Sequence, residues 1–341
     1  LTLAEEYACA MSVPIRNNDL IEIETDKLSQ PLMQIVSHCP EETMMEYPEI
    51  FLIFAFEEYV RGKRDRFEEY CMIAEKAIKV KMSSEEKKDT RLMGEYAFLM
   101  IYTKFNDLEA MHAKNLEALR ELNGASTLFD FNHVWSLGAP SIMYQYWREP
   151  GKLDEEMQML ERYMPDYLTL TEGHGTGSPE LMRAESALHR GKFFNTEVLC
   201  HKTLYLANAE QQDVLCSGAE FILARLAILR GDEKSYCSCL DGLHKQMVNG
   251  KAAVRHLVYE QCRTWLAISL GDTDNIPSWL MDEAQIQSHI YGAYIGYAMM
   301  IYARILLVTK NYGKLFGISE ILLNKAEAIP LQMARLYYFI F

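Results

Sequence analysis

At 341 residues the chain exceeds the ~150-residue size of a typical single domain, so it holds either several domains or one architecture that grows by repetition. Hydrophobic residues make up 49% and charged residues 24%, which excludes wholesale disorder; scarce Pro (10) and Gly (18) exclude a fold of many short strands and point to an all-α chain. The net charge of −14 excludes a nucleic-acid surface on these residues, because phosphate contacts need clustered Lys and Arg.

In chain order, residues 1–45 read as a helical lead-in, with a helix over Leu28 to Cys39 and turns at Pro40-Glu41-Glu42 and Tyr47-Pro48-Glu49. Residues 46–341 repeat one layout: an apolar helix, a short turn, then an amphipathic helix. The turns at Gly191, Gly231 and Gly271 follow one another at 40-residue intervals, and Asn311 extends the ruler by 40 more as a stand-in for Gly in a left-handed helix end. Upstream, Gly62 marks another such turn, and looser ones are anchored at Lys104 and Arg148. Ser178-Pro179-Glu180 predicts a helix start with Ser178 as N-cap, running to Arg190. The next helix, Phe194 to Ala207, is expected to bury Val198, Leu199, Thr203, Leu204 and Ala207. Phe221 to Leu229 is apolar almost all round, as a helix held between neighbours should be, and the run Ala293 to Val308 is too short to span a bilayer and contains Arg304. Stacked hairpins of about 40 residues predict a single tetratricopeptide-like α-α superhelix over 46–341, because one hairpin cannot cover its own apolar faces.

Catalytic and cofactor signatures are missing from the sequence. Gly173-His174-Gly175-Thr176-Gly177 follows no strand pattern and no GxxxxGK[ST] occurs, so the loop reads as a flexible link between two halves of the array. Cys237-Ser238-Cys239 lacks zinc or redox spacing, and the eight cysteines are scattered through apolar helical stretches, as reduced thiols are. His189 and His201 are twelve residues apart with no HExxH, and no GxSxG is present. We therefore expect no enzyme, no metal and no cofactor. No secretory signal is visible, which predicts a cytoplasmic protein without a membrane partner. The chain stops inside the apolar run Leu336 to Phe341, as a fragment of a longer protein would.

Several short stretches resemble the repeat region of bacterial LuxR-type ATP-dependent regulators of the MalT type. They are Pro40-Glu41-Glu42 with Tyr47-Pro48-Glu49-Ile50-Phe51 and Gly62, Gly138-Ala139-Pro140-Ser141, and Arg148-Glu149-Pro150-Gly151-Lys152-Leu153-Asp154-Glu155-Glu156. Arg183-Ala184-Glu185 before Arg190-Gly191, Gly271-Asp272 with Ile276-Pro277-Ser278-Trp279-Leu280, and Tyr312 to Leu315 with Gly317-Ile318-Ser319-Glu320 complete the series. The resemblance implies a helical sensor that works beside a nucleotide-binding module and a helix-turn-helix, neither of which this sequence matches.

In such a superhelix the first helix of each pair lines the concave wall, and residues six before the turn face the groove. From the three glycine anchors these are Glu185, Arg225 and Trp265; the fourth is Arg304 counted from Lys310 or Ile305 counted from Asn311. Tyr259 and Tyr294 join them as aromatic candidates, with Trp279, Tyr291 and Tyr297 nearby; Trp135 and Trp147 read as core. These residues can hold a polar ligand by charge-assisted hydrogen bonds and stacking, or Glu185 and Arg225 can form a structural pair while Trp265 packs. Two functions stay open: a sensor of a small-molecule inducer or a protein partner, capable of self-association in the full-length protein, and a standing scaffold that holds a peptide or helix in the groove.

Overall fold

A computed structural model describes residues 38–60, 63–84, 90–128, 138–250, 254–289, 295–328 and 330–340. Among them every regular element is helical. Most of the expected lead-in over 1–45, the Gly62 turn, Trp135, Tyr291 and Tyr294 lie outside the described residues. Contacts divide the chain into two compact units: the described residues within Leu1–Phe105, Ala110–Phe131 and Thr169–Glu172, and those within Asn106–Glu109, Asn132–Leu168 and Gly173–Phe341.

The first unit contains α1 (Glu41–Glu46), α2 (Pro48–Val60), α3 (Arg64–Ser84), α4 (Arg91–Tyr102) and most of α5 (Leu108–Leu122). Helix α2 buries nine consecutive residues, Ile50 to Glu58, which no amphipathic surface helix does; α1, α3 and α4 all pack against it. The Phe51 and Phe54 rings lie 6.0 and 6.3 Å from the Tyr70 ring, and Phe56 meets Tyr102 at 5.0 Å.

The second unit begins with the short α6 (Ile142–Tyr146) and α7 (Leu153–Thr171). Hairpins follow in order: α8 (Ser178–His189) with α9 (Phe193–Ala209), α10 (Asp213–Arg230) with α11 (Glu233–Asn249), and α12 (Arg255–Ser269), which a 3-10 turn at Ser278–Leu280 and α13 (Glu283–His289) follow. Then come α14 (Ile295–Val308), α15 (Tyr312–Ala328) and α16 (Gln332–Ile340). Each of α8, α10, α12 and α14 touches the next helix of that series, and α14 touches α16. Burial separates two roles. Helix α10 buries Val214 to Ala219 without a break and α14 buries Gly296 to Ala303, whereas α11 buries only Cys239 and Leu243. First helices are sandwiched and second helices are outer.

The turns fix the period. Gly191, Gly231 and Gly271 have φ of 69°, 66° and 82°, and the residue after each donates to a carbonyl five residues back, as in Asp232 N to Ala227 O at 2.9 Å. Gly151, φ 78°, lies 40 residues before Gly191, so that turn pivots there rather than at the expected Arg148. Likewise Asn106, φ 59°, replaces Lys104 as the left-handed residue of its turn. At the other end the left-handed residue is Lys310, φ 60°, and Asn311 N donates to Leu306 O at 2.8 Å in the place of Lys192, Asp232 and Asp272. Asn311 is therefore not the glycine stand-in.

Three local expectations are corrected as well. Helix α8 starts one residue early, with Gly177 (φ 98°) as N-cap, because the Gly177 carbonyl already accepts from Leu181 N at 3.0 Å. Helix α9 turns Val198 out (51% exposed) and buries Thr196, Cys200, Thr203 and Ala207, small residues that let it approach α8 and α10 closely. The glycine loop at 173–177 is a hydrogen-bonded turn: Gly175 N donates to Gln212 Oε1 at 2.9 Å, and buried His174 meets the Tyr167 hydroxyl at 2.9 Å.

Candidate functional site

Four successive first helices of the second unit bring Glu185, Arg225, Trp265 and Arg304 together. With Lys310 as the left-handed residue, all four stand six positions before their turns, and the alternative Ile305 is a core residue, 2% exposed. The shared position follows from helix geometry: equal spacing from equal turns puts each side chain on the same face of its helix.

Trp265 is the centre and is 3% exposed. The Arg304 guanidinium lies over its ring at 4.0 Å and that of Arg225 at 5.7 Å, while Arg225 also stands 5.5 Å from Phe221. Tyr297 stacks on the indole at 6.3 Å with planes 18° apart, and Tyr337 and Phe221 meet it edge-on at 5.6 and 6.3 Å. The guanidinium hydrogen bonds go to uncharged groups: Arg304 Nη2 donates to Ser269 Oγ at 3.1 Å, and Arg225 Nη2 faces His189 Nε2 at 3.4 Å. Protein packed around the imidazole, helped by the Arg225 charge, pushes the His189 pKa down, so the ring is neutral at pH 7 and can accept from the guanidinium. Burial raises the Tyr337 hydroxyl against the pull of both arginines, and Arg304 also donates to it.

Glu185 is 1% exposed and sits beneath this cluster. Both its carboxylate oxygens lie 2.8 Å from Ser141 Oγ, and Met143 N donates to one at 3.2 Å. Ser141 also caps α6, accepting from Tyr144 N at 2.9 Å. Burial pushes the Glu185 carboxyl up, and the Arg225 charge, the Ser141 hydroxyl and the Met143 amide hold it partly down.

The segment 138–146 that presents Ser141 lies along the first helices. Gly138 O accepts from Gln261 Nε2 of α12 at 2.6 Å, Pro140 O lies 3.1 Å from where a Cβ on Gly218 of α10 would stand, and the Tyr144 hydroxyl occupies that place at Gly296 of α14. The Tyr144 ring meets Tyr297 at 5.3 Å, and Ser141 Oγ reaches Met333 Sδ of α16 at 3.9 Å. Glycine at 218 and 296 is thus what lets this chain segment approach.

Other expected members fall elsewhere. Tyr259 faces His244 at 6.0 Å, away from the Trp265 cluster, because six residues of helix turn it to a different side of α12. Tyr294 lies outside the described residues. Trp279 donates to Glu260 Oε2 at 2.5 Å and stacks on His289, and Trp147 donates to Glu149 O at 2.9 Å. Tyr297, expected nearby, stacks on Trp265, whereas Ser141, His189 and Tyr337 complete the cluster without having been expected in it. Ser141 carries the one readable signal, an N-cap serine, but its partner Glu185 is 44 residues away.

The first unit holds a separate cavity of about 300 Å³, lined in part by Glu49, Ile78, Lys81, Arg91, Glu95 and Thr127. Buried Glu95 accepts from Ser126 Oγ at 2.5 Å and from Thr127 N at 2.8 Å, and Arg91 Nη2 donates to Thr127 Oγ1 at 2.5 Å. Its charges are of both signs, and those of Glu95 and Arg91 are engaged in these hydrogen bonds. Among the described residues no group of three or more His, Cys, Asp or Glu is arranged to hold a metal ion, and no helix is long and apolar enough to cross a membrane. The seven described cysteines are free thiols, six of them buried. Comparison of the chain with known protein families, with characterised proteins and with solved structures gives no match.

Proposed function

We propose that this chain is the ligand- or partner-sensing repeat domain of a LuxR-type transcriptional regulator, non-catalytic in itself, with DNA binding and ATP hydrolysis carried out by other modules. In this reading the ordered hairpins of the second unit form a tetratricopeptide-like superhelix, and the Trp265 cluster is its sensing surface. One observation carries it: four equivalent positions on successive helices hold Glu, Arg, Trp and Arg, with both arginines on the Trp265 ring and Glu185 within reach of the Arg225 charge, where repeat packing alone needs only apolar types. A ligand at this ring touches several repeats at once. It can shift their packing only by binding one arrangement more tightly than another.

The rival reading, a peptide held along the inner wall as on a standing scaffold, meets an obstacle. Residues 138–146 already lie there, so a peptide must displace them at the cost of the Ser141–Glu185 and Gln261–Gly138 hydrogen bonds. A small ligand at the arginine rim need not.

A melting-shift screen of small metabolites and peptides on the chain and on Arg225→Ala tests the sensing role. A ligand at one hundred times its Kd stabilises by about 2.7 kcal/mol. We expect a small-molecule hit whose stabilisation is lost in Arg225→Ala. Hits that stabilise both proteins equally contradict the proposal, and peptides alone as hits favour the scaffold reading over it.

A further inference from the structure

We propose that Arg225 and Arg304 form an anion site at the rim of the Trp265 cluster, and that its ligand is a small molecule bearing a carboxylate or phosphate group. The inference rests on the sensing role above for its biological meaning and adds the chemical class of what is sensed.

Two cations share one indole ring, at 5.7 and 4.0 Å, and their mutual repulsion is met by no ion pair, only by the field between Glu185 and Arg225. Among the described residues no carboxylate stands within ion-pair distance of either guanidinium. Four other arginines of the second unit are ion-paired: Arg148 with Asp107 at 2.6 Å, Arg183 with Glu161 at 2.6 Å, Arg190 with Asp154 at 2.8 Å and Arg230 with Glu197 at 2.9 Å. What sets Arg225 and Arg304 apart is that both guanidinium groups lie against the same indole ring. The nearest acid in the cluster, Glu185, is buried with its oxygens turned to Ser141 and Met143.

The groups that the two arginines do contact are His189, Ser269 and Tyr337, all uncharged at pH 7, and they engage only some of the five N–H donors on each guanidinium. Both side chains are half-buried, so solvent and small solutes reach them. Carboxylate and phosphate oxygens match the planar fork of a guanidinium, which a lysine ammonium does not reproduce. The aromatic floor formed by Trp265 and Phe221 fixes the direction of the fork and lowers the local dielectric. An anion there cancels the repulsion and ties α10 to α14, two helices that are not consecutive in the chain.

The test is calorimetric titration of the whole chain with inorganic phosphate and, separately, citrate, against sodium chloride at matched ionic strength. We expect saturable binding of at least one of the two, which of them binds telling phosphate from carboxylate chemistry. Arg225→Gln and Arg304→Gln should each weaken it on the order of tenfold, while Arg183→Gln, which removes a surface-paired arginine, should bind as the wild type does. Where a Gln variant loses its helical circular dichroism, Arg225→Lys and Arg304→Lys decide, since they keep the charge and lose the fork; weaker binding is expected. Heat that follows ionic strength alone, equal binding by the Lys variants, or equal weakening in Arg183→Gln overturns the site. Hydrogen exchange across residues 138–146 with anion bound separates the two proposals. Saturable binding with unchanged protection there keeps the anion site and removes the sensing role, whereas absence of binding removes the site and leaves sensing of another ligand.

Discussion

Glu185 shows what a single buried carboxylate does to the energetics of this region. Its oxygens share one serine hydroxyl, which has a single proton to donate, so the second oxygen depends on the Met143 amide and on the Arg225 charge. Burial wins over these and raises the pKa above the ordinary 4.5. The folded chain then holds this proton more tightly than the unfolded chain does. The stability contributed by the protonated carboxyl is present below the unfolded value and is lost as pH rises through the folded one. Glu185→Gln mimics the protonated form and removes the dependence. Urea unfolding of both proteins from pH 4.5 to 8 should show wild-type stability falling relative to Glu185→Gln as pH rises, with a slope of at most about 1.4 kcal/mol per pH unit. A difference that grows in favour of the wild type with rising pH contradicts this account of Glu185.

Helices and turns are where the sequence is most legible, and where its limits have clear physical causes. The glycines at 191, 231 and 271 betray the period because a left-handed helix end strongly favours a residue without a Cβ. Lys310 hides the next turn for the same reason, since lysine in that conformation carries no signature and Asn311 beside it is a plausible decoy. On α9 the expected stripe included the large residues Val198, Leu199 and Leu204, yet the buried face is made of Thr196, Cys200, Thr203 and Ala207. Hydrophobicity ranks the first group higher; close helix approach selects the second. These geometries predict opposite outcomes for similar substitutions. Gly317→Ala on α15 meets nothing within 4 Å and should stabilise by up to about 1 kcal/mol, the helix-propensity gain. Lys310→Gly should stabilise by about 1 kcal/mol by relieving the left-handed strain. Gly218→Ala, whose new methyl group would stand 2.8 Å from Leu181 Cδ2 and 3.1 Å from Pro140 O, should destabilise despite the same propensity gain. Thermal melts of the three variants check the signs, and a stabilising Gly218→Ala would show that the 138–146 segment does not press on α10.

Over the whole molecule, the all-helical class follows from composition, and the gathering of Glu185, Arg225, Trp265 and Arg304 follows from counting back from the turns once Lys310 is the anchor. What counting cannot reach is the company they keep. Ser141 and Tyr337 come from segments whose approach depends on tertiary packing, and the first helices are lined by a stretch of the same chain that no periodic signal marks. The net charge of −14 sets the background against which two arginines on one ring stand out. The first unit, built around α2 with its buried run Ile50 to Glu58, has its own core and contributes none of these residues. The claim that equivalent positions on successive helices meet at one ring is tested most directly by a double-mutant cycle in urea unfolding with Trp265→Leu and Arg304→Gln, singly and together. Contact through the ring predicts a coupling of roughly 0.5 to 2 kcal/mol. Additive effects, within about 0.3 kcal/mol, would mean that Arg304 and Trp265 do not touch, and the shared site would not exist.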